Sequence, residues 1–179
     1  MLELTIRTAD INDFENVMDF YHDLIDDMQD IEFRPKWKKD VYPTRQFIYD
    51  AIVKNELFVA IINNSIIASM VMNHVCADGY AEIQWKVSAK NNEIIIIHAL
   101  AISLSCQKKG IAKKMMDYAI NYCKDNGMKA IRLDVLASNI PAQKLYANMG
   151  FAYMGKIRLF YEDTGLTDFL LYELGNIIV

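Results

Sequence analysis

Three features of the sequence predict a mixed α/β (α+β) fold. The stretch "EIIIIHALAIS" (residues 93–103) is nearly all apolar and rich in isoleucine, as a strand buried on both faces would be. A helical pattern and then "AIRLDVL" follow it, and strand, helix and strand in succession imply a right-handed crossover with parallel pairing. The remaining joins are short and hairpin-like, which sets antiparallel strands beside that parallel pair.

The elements follow in order. "LELTIR" alternates and is rich in β-formers, so residues 2–7 read as a strand. Asp10 then looks like an N-cap, and Ile11, Phe14, Val17, Met18, Tyr21, Leu24, Ile25 and Met28 recur at helical spacing. A second helix is expected after Pro43, carrying Phe47, Ile48, Ala51 and Ile52. "LFVAIINNSIIASMVMNHV" reads as two strands joined at Asn63-Asn64, residues that tolerate positive φ. "YAEIQWKV" (80–87) alternates polar and apolar, which predicts a half-exposed strand. Gly110 opens a helix with Ile111, Met115, Met116, Ala119, Ile120 and Cys123 on one side, and Gly127 is its expected stop. Pro141 lies in the first turn of a shorter helix presenting Ala142, Leu145, Tyr146 and Met149 and ending at Gly150. Two final strands, near 152–161 and 168–174, flank a turn at "EDTG".

Composition narrows the function. A chain of 179 residues without a Pro/Gly/Ser-rich linker is expected to be one domain, 1–179. A net charge of -4 argues against nucleic-acid binding. No signal peptide or apolar run of bilayer length is visible, so the expectation is a cytoplasmic protein that does not engage a membrane. The 3 cysteines, Cys76, Cys106 and Cys123, are widely spaced and lack metal-ligand spacing, so they read as reduced thiols and no metal is expected.

Against this acidic background, "CQKKGIAKKMMDYAI" (106–120) concentrates Lys108, Lys109, Lys113 and Lys114 around Gly110 at the mouth of a helix. Leftover N–H groups at a helix start, the helix dipole and a glycine that permits close approach make an anion site, suited to phosphate or pyrophosphate. The motif is neither GxxxxGK[ST] nor GxGxxG, which disfavours a P-loop or a Rossmann fingerprint. It is Gln107-Lys108-Lys109-Gly110-Ile111-Ala112, a Q-x-x-G-x-A.

"HALAISLSCQKKGIAKKMMDYAI" resembles the acetyl-CoA-binding segment of the GNAT superfamily of N-acetyltransferases, (Q/R)-x-x-G-x-(G/A) after a strand reading L-x-V. Downstream, "NIPAQKLYANMGF" is similar to the superfamily's N-x-x-A-x-x-L-Y-x-x-x-G-F. The two motifs stand in the expected order, and the resemblance covers essentially the whole chain, most firmly residues 93–174. Ile102 replaces the valine of L-x-V, Leu104 a frequent proline, and Ala112 the last glycine.

The resemblance implies a GNAT fold, a mixed central sheet of about seven strands flanked by about four helices. It implies acetyl transfer from acetyl-CoA to a primary amine by direct transfer in a ternary complex. The backbone of residues 107–112 would hold the CoA pyrophosphate, with the lysines, Lys113 included, reaching for phosphates. The main chain at Leu100, Ala101 and Ile102 would pair with the pantetheine arm, and Asn139 would contact CoA or fix the loop, against the plainer reading that it only caps or turns the chain. Tyr146 matches the tyrosine that protonates the departing thiolate, against the plainer reading of a core aromatic. His98 is either the general base that takes the amine proton or a satisfied core histidine. Asp19, Asp23, Asp26, Asp27 and Asp30 form either a solvated acidic face or a lure for a cationic small-molecule acceptor. Tyr80 and Trp85 either line the acceptor pocket or pack. The enzyme would work as a monomer or homodimer; the competing reading is a non-catalytic CoA-binding sensor or interaction module.

Overall fold

Reciprocal capping sets where the first helix begins. In the computed structural model, which describes residues 4–32 and 35–177, Asp10 Oδ1 accepts from the Asn12 N–H at 2.8 Å. The Asp13 carboxylate in turn accepts from the Asp10 N–H at 2.8 Å, which closes a capping box. Strand β1 (Thr5–Thr8) precedes this turn and helix α1 (Phe14–Asp27) follows it. Leu2 and Glu3, the predicted strand start, lie outside the described residues. Val17, Met18, Tyr21, Leu24, Ile25 and Met28 are buried as their spacing predicts, while Ile11 is exposed in the capping turn and Phe20 joins the buried side.

Helix α2 (Arg45–Val53) starts where Thr44 Oγ1 accepts from the Phe47 N–H at 3.0 Å. Strands β2 (Leu57–Ile62) and β3 (Ser65–Asn73) pair antiparallel across Asn63 and Asn64, whose φ angles of 52° and 61° give the doubly left-handed turn such hairpins favour. Then come β4 (Ile94–Ile102), α3 (Ile111–Asp125), β5 (Ala130–Leu136), α4 (Ile140–Asn148), β6 (Ala152–Tyr161) and β7 (Gly165–Gly175). The seven strands form one mixed sheet in the order β1-β2-β3-β4-β5-β7-β6. The predicted parallel pair is β4 with β5, Ile94–Ile96 against Ala130–Arg132. Strand β7 pairs antiparallel with both β5 and β6.

Contacts divide the described chain into two compact units. One takes the described residues through Glu32, then Trp37–Met72 and His98–Tyr118, around a core that includes Val17, Tyr21, Ile48, Leu57 and Val71. The other takes Asn73–Ile97, the chain from Ala119 onward and the short stretch ending at Lys36, around Tyr80, Ile94, Ile96, Leu136 and Leu171.

The predicted strand over 80–87 does not form. A turn of 3-10 helix (Asp78–Glu82) carries Tyr80, and the chain then runs extended with Ile83, Trp85 and Val87 on the second core. The alternation is real, but it comes from an extended segment covering a core. Its Lys86 and Val87 N–H groups donate to the Glu173 carboxylate, at 2.9 and 3.0 Å, instead of to a neighbouring strand. The other oxygen of Glu173 accepts from Arg132 Nε at 2.9 Å, and Arg132 lies 4.3 Å over the Trp85 ring while donating to the Val87 carbonyl.

This buried pair predicts a large stability effect. Glu173→Ala would strand the Arg132 charge at a side chain only 6% exposed, and denaturant unfolding should show a loss of about 3–5 kcal/mol. A loss below about 1 kcal/mol would show that water already compensates the pair.

Candidate active site

The first unit carries one half of the residues singled out by sequence. Along β4, Ile94–Ile97 are buried throughout, but from His98 the burial alternates: His98, Leu100 and Ile102 are half-buried while Ala99 and Ala101 are buried. The distal half of the strand is therefore not buried on both faces, and it turns His98, Leu100 and Ile102 to an accessible side. Ala99 has a left-handed φ of 50°, uncommon for a non-glycine residue inside a strand. Its carbonyl accepts from the hydroxyl of fully buried Tyr21 at 2.7 Å. Burial holds the Tyr21 phenol well above its usual pKa, so it remains a donor. His98 meets the Phe47 ring edge to face at 6.4 Å.

Beyond β4 the chain makes a 3-10 turn (Leu104–Cys106), in which the Cys106 and Gln107 N–H groups donate to Ser103 and Leu104 carbonyls at 2.9 and 3.3 Å. The Gln107 side chain folds back and donates to the Ile102 carbonyl at 3.2 Å. Lys108 and Gly110 then adopt left-handed φ angles of 59° and 79°. The Lys114 N–H reaches the Gly110 carbonyl at 3.1 Å, so among the described residues the N–H groups of 108–113 find no backbone acceptor. That row, with Lys108, Lys109, Lys113 and Lys114 exposed around it, is a donor-rich and cationic helix mouth. Nothing lies within 4 Å of where a side chain on Gly110 would begin, so its glycine serves the backbone angle and leaves the approach open. Ile111 and Ala112 begin α3 there, and Lys113 pairs with Asp117 at 2.7 Å.

The second unit carries the other half. Asn139 Oδ1 caps α4 by accepting from the Ala142 N–H at 3.3 Å, and Gln143 ties the helix to the end of β5 by donating to the Leu136 carbonyl at 3.2 Å and to that of Ala137, just beyond the strand, at 2.9 Å. Tyr146, 7% exposed, packs against Phe151 and Tyr172 with ring centres 5.7 and 6.1 Å away. Its hydroxyl makes no hydrogen bond among the described residues, although burial and then the nearby Asp134 charge raise its pKa. Tyr146 thus combines the core aromatic with an uncommitted, fully protonated hydroxyl.

Two residues of consequence are not singled out by the sequence reading. Tyr21 looks there like one more member of the α1 stripe, because its partner lies 78 residues away. Asp134 accepts from the Tyr80 hydroxyl at 2.8 Å. Its signal was present, since Arg132 and Asp134 are two charges in an otherwise apolar strand.

The model of the acetyltransferase (GNAT) family matches residues 19–151, and the chain belongs to that family. The streptothricin acetyltransferase of Escherichia coli is 32% identical over 73 residues, 41% of this chain and 41% of that protein. The chain thus matches about two fifths of the length of the curated relatives it resembles. A solved GNAT-family acetyltransferase from Streptococcus agalactiae shares the fold with a TM-score of 0.80 at 22% identity, over 98% of this chain and 99% of that one. The yncA protein of Salmonella typhimurium, solved with its cofactor acetyl-CoA, shares it with a TM-score of 0.70 at 14% identity, over 97% and 94% of the two chains.

The Tyr21–Ala99 bond predicts a separable effect. Tyr21→Phe keeps the ring but leaves the buried Ala99 carbonyl without its donor, at a cost of about 1–3 kcal/mol in unfolding free energy. If the Leu100–Ile102 backbone pairs with the pantetheine arm as the resemblance implies, the same variant should weaken CoA binding measured by calorimetry. Unchanged stability and unchanged CoA affinity together would remove any positioning role for Tyr21.

Proposed function

We propose that residues 1–179 act as one N-acetyltransferase domain that moves an acetyl group from acetyl-CoA to a primary amine in a ternary complex. The observation that carries this reading is the row of unpaired N–H groups over 108–113 at a helix mouth ringed by four lysines. A polyanion is the natural guest for such a row, and pyrophosphate is the polyanion that acetyl-CoA brings. The donor set fits: fixed main-chain groups, an open approach over Gly110, and mobile ammonium groups outside them.

Acetyl-CoA, when bound, supplies the activated acetyl group. The chain's own residues would do the rest. Leu100, Ala101 and Ile102 would offer main-chain groups to the pantetheine arm and a fixed donor where negative charge develops in the transition state. Gln107, Lys108, Lys109, Gly110, Ile111, Ala112 and Lys113 would hold the phosphates, and Asn139 would keep α4 in place while bordering the cofactor. His98 would take a proton from the acceptor's ammonium. Tyr146 would give a proton to the leaving thiolate. Its raised pKa keeps the proton on the phenol at neutral pH, as a donor requires.

The family, and a relative named for acetylating streptothricin, support an amine acceptor of small-molecule size. None of the described helices is long and apolar enough to cross a membrane. The enzyme we propose is cytoplasmic and works as a monomer or homodimer.

Thiol release from acetyl-CoA with a panel of primary amines tests the reading. Tyr146→Phe should lower kcat by roughly 100-fold or more while leaving the KM for acetyl-CoA close to that of the unaltered chain. His98→Ala should lose most at pH values below the acceptor's pKa and recover as the amine deprotonates by itself. Tight CoA binding with no turnover of any amine would instead identify a CoA-binding sensor.

A further inference from the structure

The face of β5 that carries Arg132 also carries Asp134, two residues further along the strand. The two charges are treated differently. Arg132 is answered by Glu173 at 2.9 Å and by the Trp85 ring at 4.3 Å. Asp134 makes no ion pair among the described residues; the side chain that hydrogen-bonds it is Tyr80, whose hydroxyl donates to Oδ1 at 2.8 Å.

The setting of Asp134 penalises its charge. Burial pushes its carboxyl above the usual range, although the Tyr80 bond pulls the other way. The side chain is nevertheless half-buried, so a small group can reach it. Burial raises Tyr80, Tyr146 and Tyr161, and the Asp134 charge adds to each; Tyr161 is raised further by Asp163 and Asp78. Asp134 is therefore a carboxylate held by one phenol and, among the described residues, without a counter-charge.

Tyr80 is built to hold that carboxylate still. It is 3% exposed, its carbonyl accepts from the Trp85 indole N–H at 2.9 Å, and its ring lies 5.4 Å from that of Trp85. Gly79 beside it permits the turn to lie close: a Cβ there would sit 2.6 Å from Ile157 Cδ1. A fixed carboxylate, accessible but poorly solvated and flanked by aromatic rings, is the chemistry that selects an ammonium group.

We propose that Asp134, steadied by the Tyr80 hydroxyl, is the acceptor-binding residue and that it receives an ammonium group of a cationic amine substrate. This assignment rests on the N-acetyltransferase reading for the identity of the ligand as acceptor, and it names the substrate class. Amines that carry positive charge are taken, while acidic amines are rejected by the same field. Tyr146 lies in that field too, which places the phenol assigned to the leaving thiolate within electrostatic reach of the ammonium niche.

The binding test uses the full chain and methylammonium, a probe small enough to enter any ammonium site. The carboxyl 13C resonance of Asp134, identified by its loss in Asp134→Asn, should move saturably on titration with methylammonium, and Tyr80→Phe should weaken that response. The kinetic test uses spermidine, lysine and phenethylamine with acetyl-CoA. Asp134→Asn should raise the KM of every amine the chain accepts by roughly 10- to 100-fold, the worth of a hydrogen bond to a charged group, while CoA affinity stays within about 2-fold. A resonance that ignores methylammonium, or an amine KM unchanged in Asp134→Asn, would overturn the proposal. A saturable shift without turnover of any amine would leave the ammonium site standing and overturn only the transferase reading. Should Asp134→Asn fail to fold, through-bond correlation from the Asp134 backbone assigns the resonance instead, and the titration of the unaltered chain and of Tyr80→Phe still decides the matter.

Discussion

The hydrogen bond from the Tyr21 hydroxyl to the Ala99 carbonyl is the constraint on which the first unit depends. A strand residue with φ near 50° turns its peptide groups out of the ladder, and a buried carbonyl without a donor costs more than a typical hydrogen bond contributes. Tyr21 supplies that donor at 2.7 Å from a helix 78 residues away, where its ring is fully buried. Thus α1 does more than cover a sheet with an apolar stripe. It sustains a backbone distortion just before Leu100–Ile102, where the burial pattern changes from continuous to alternating. On that half-strand His98, Leu100 and Ile102 are half-buried while Ala99 and Ala101 are buried.

The second unit solves a related problem with charge. Glu173 accepts from Arg132 with one oxygen and from the Lys86 and Val87 N–H groups with the other, so one carboxylate replaces a missing strand partner. This explains why period-two alternation over 80–87 misleads. Alternation records which side chains face a core, and an extended segment pinned by a side chain satisfies it as well as a paired strand does. Elsewhere the local rules were sufficient. The Asn63-Asn64 turn, the helix starts at Asp10 and Thr44, and the parallel pairing around α3 all follow from interactions within a few residues or from the handedness of the crossover.

The same division runs through the candidate site. The helix mouth at Gly110 was legible because its donors are consecutive backbone groups and its motif is contiguous. What could not be read is where those donors already find partners: the Gln107 N–H is taken by Leu104, so the unpaired row begins at Lys108. Tyr21 and Asp134 were hidden for a different reason, since each owes its significance to a residue more than 50 positions distant. Two charges inside "AIRLDVL" were the visible trace of this. One of them finds its counter-ion across the strand in Glu173, and no periodicity argument distinguishes it from the one that does not.

Charge placement gives the remaining step. The chain is acidic overall, with a net charge of -4, yet the anion site we propose at the Gly110 helix mouth requires positive potential. It obtains this mainly from oriented N–H groups at 108–113, which carry no formal charge and cannot be titrated away, and adds lysines only at the exposed rim. The Asp134 carboxylate in the other unit, hydrogen-bonded by Tyr80, is the reverse case, a formal charge that burial penalises. A backbone donor row binds whatever polyanion fits its shape. A poorly solvated single carboxylate discriminates by charge, because only a cation offsets the cost of keeping it ionised. On the reading proposed above, such a chain would accept a shared cofactor through its main chain and reserve a side-chain charge for the choice of acceptor.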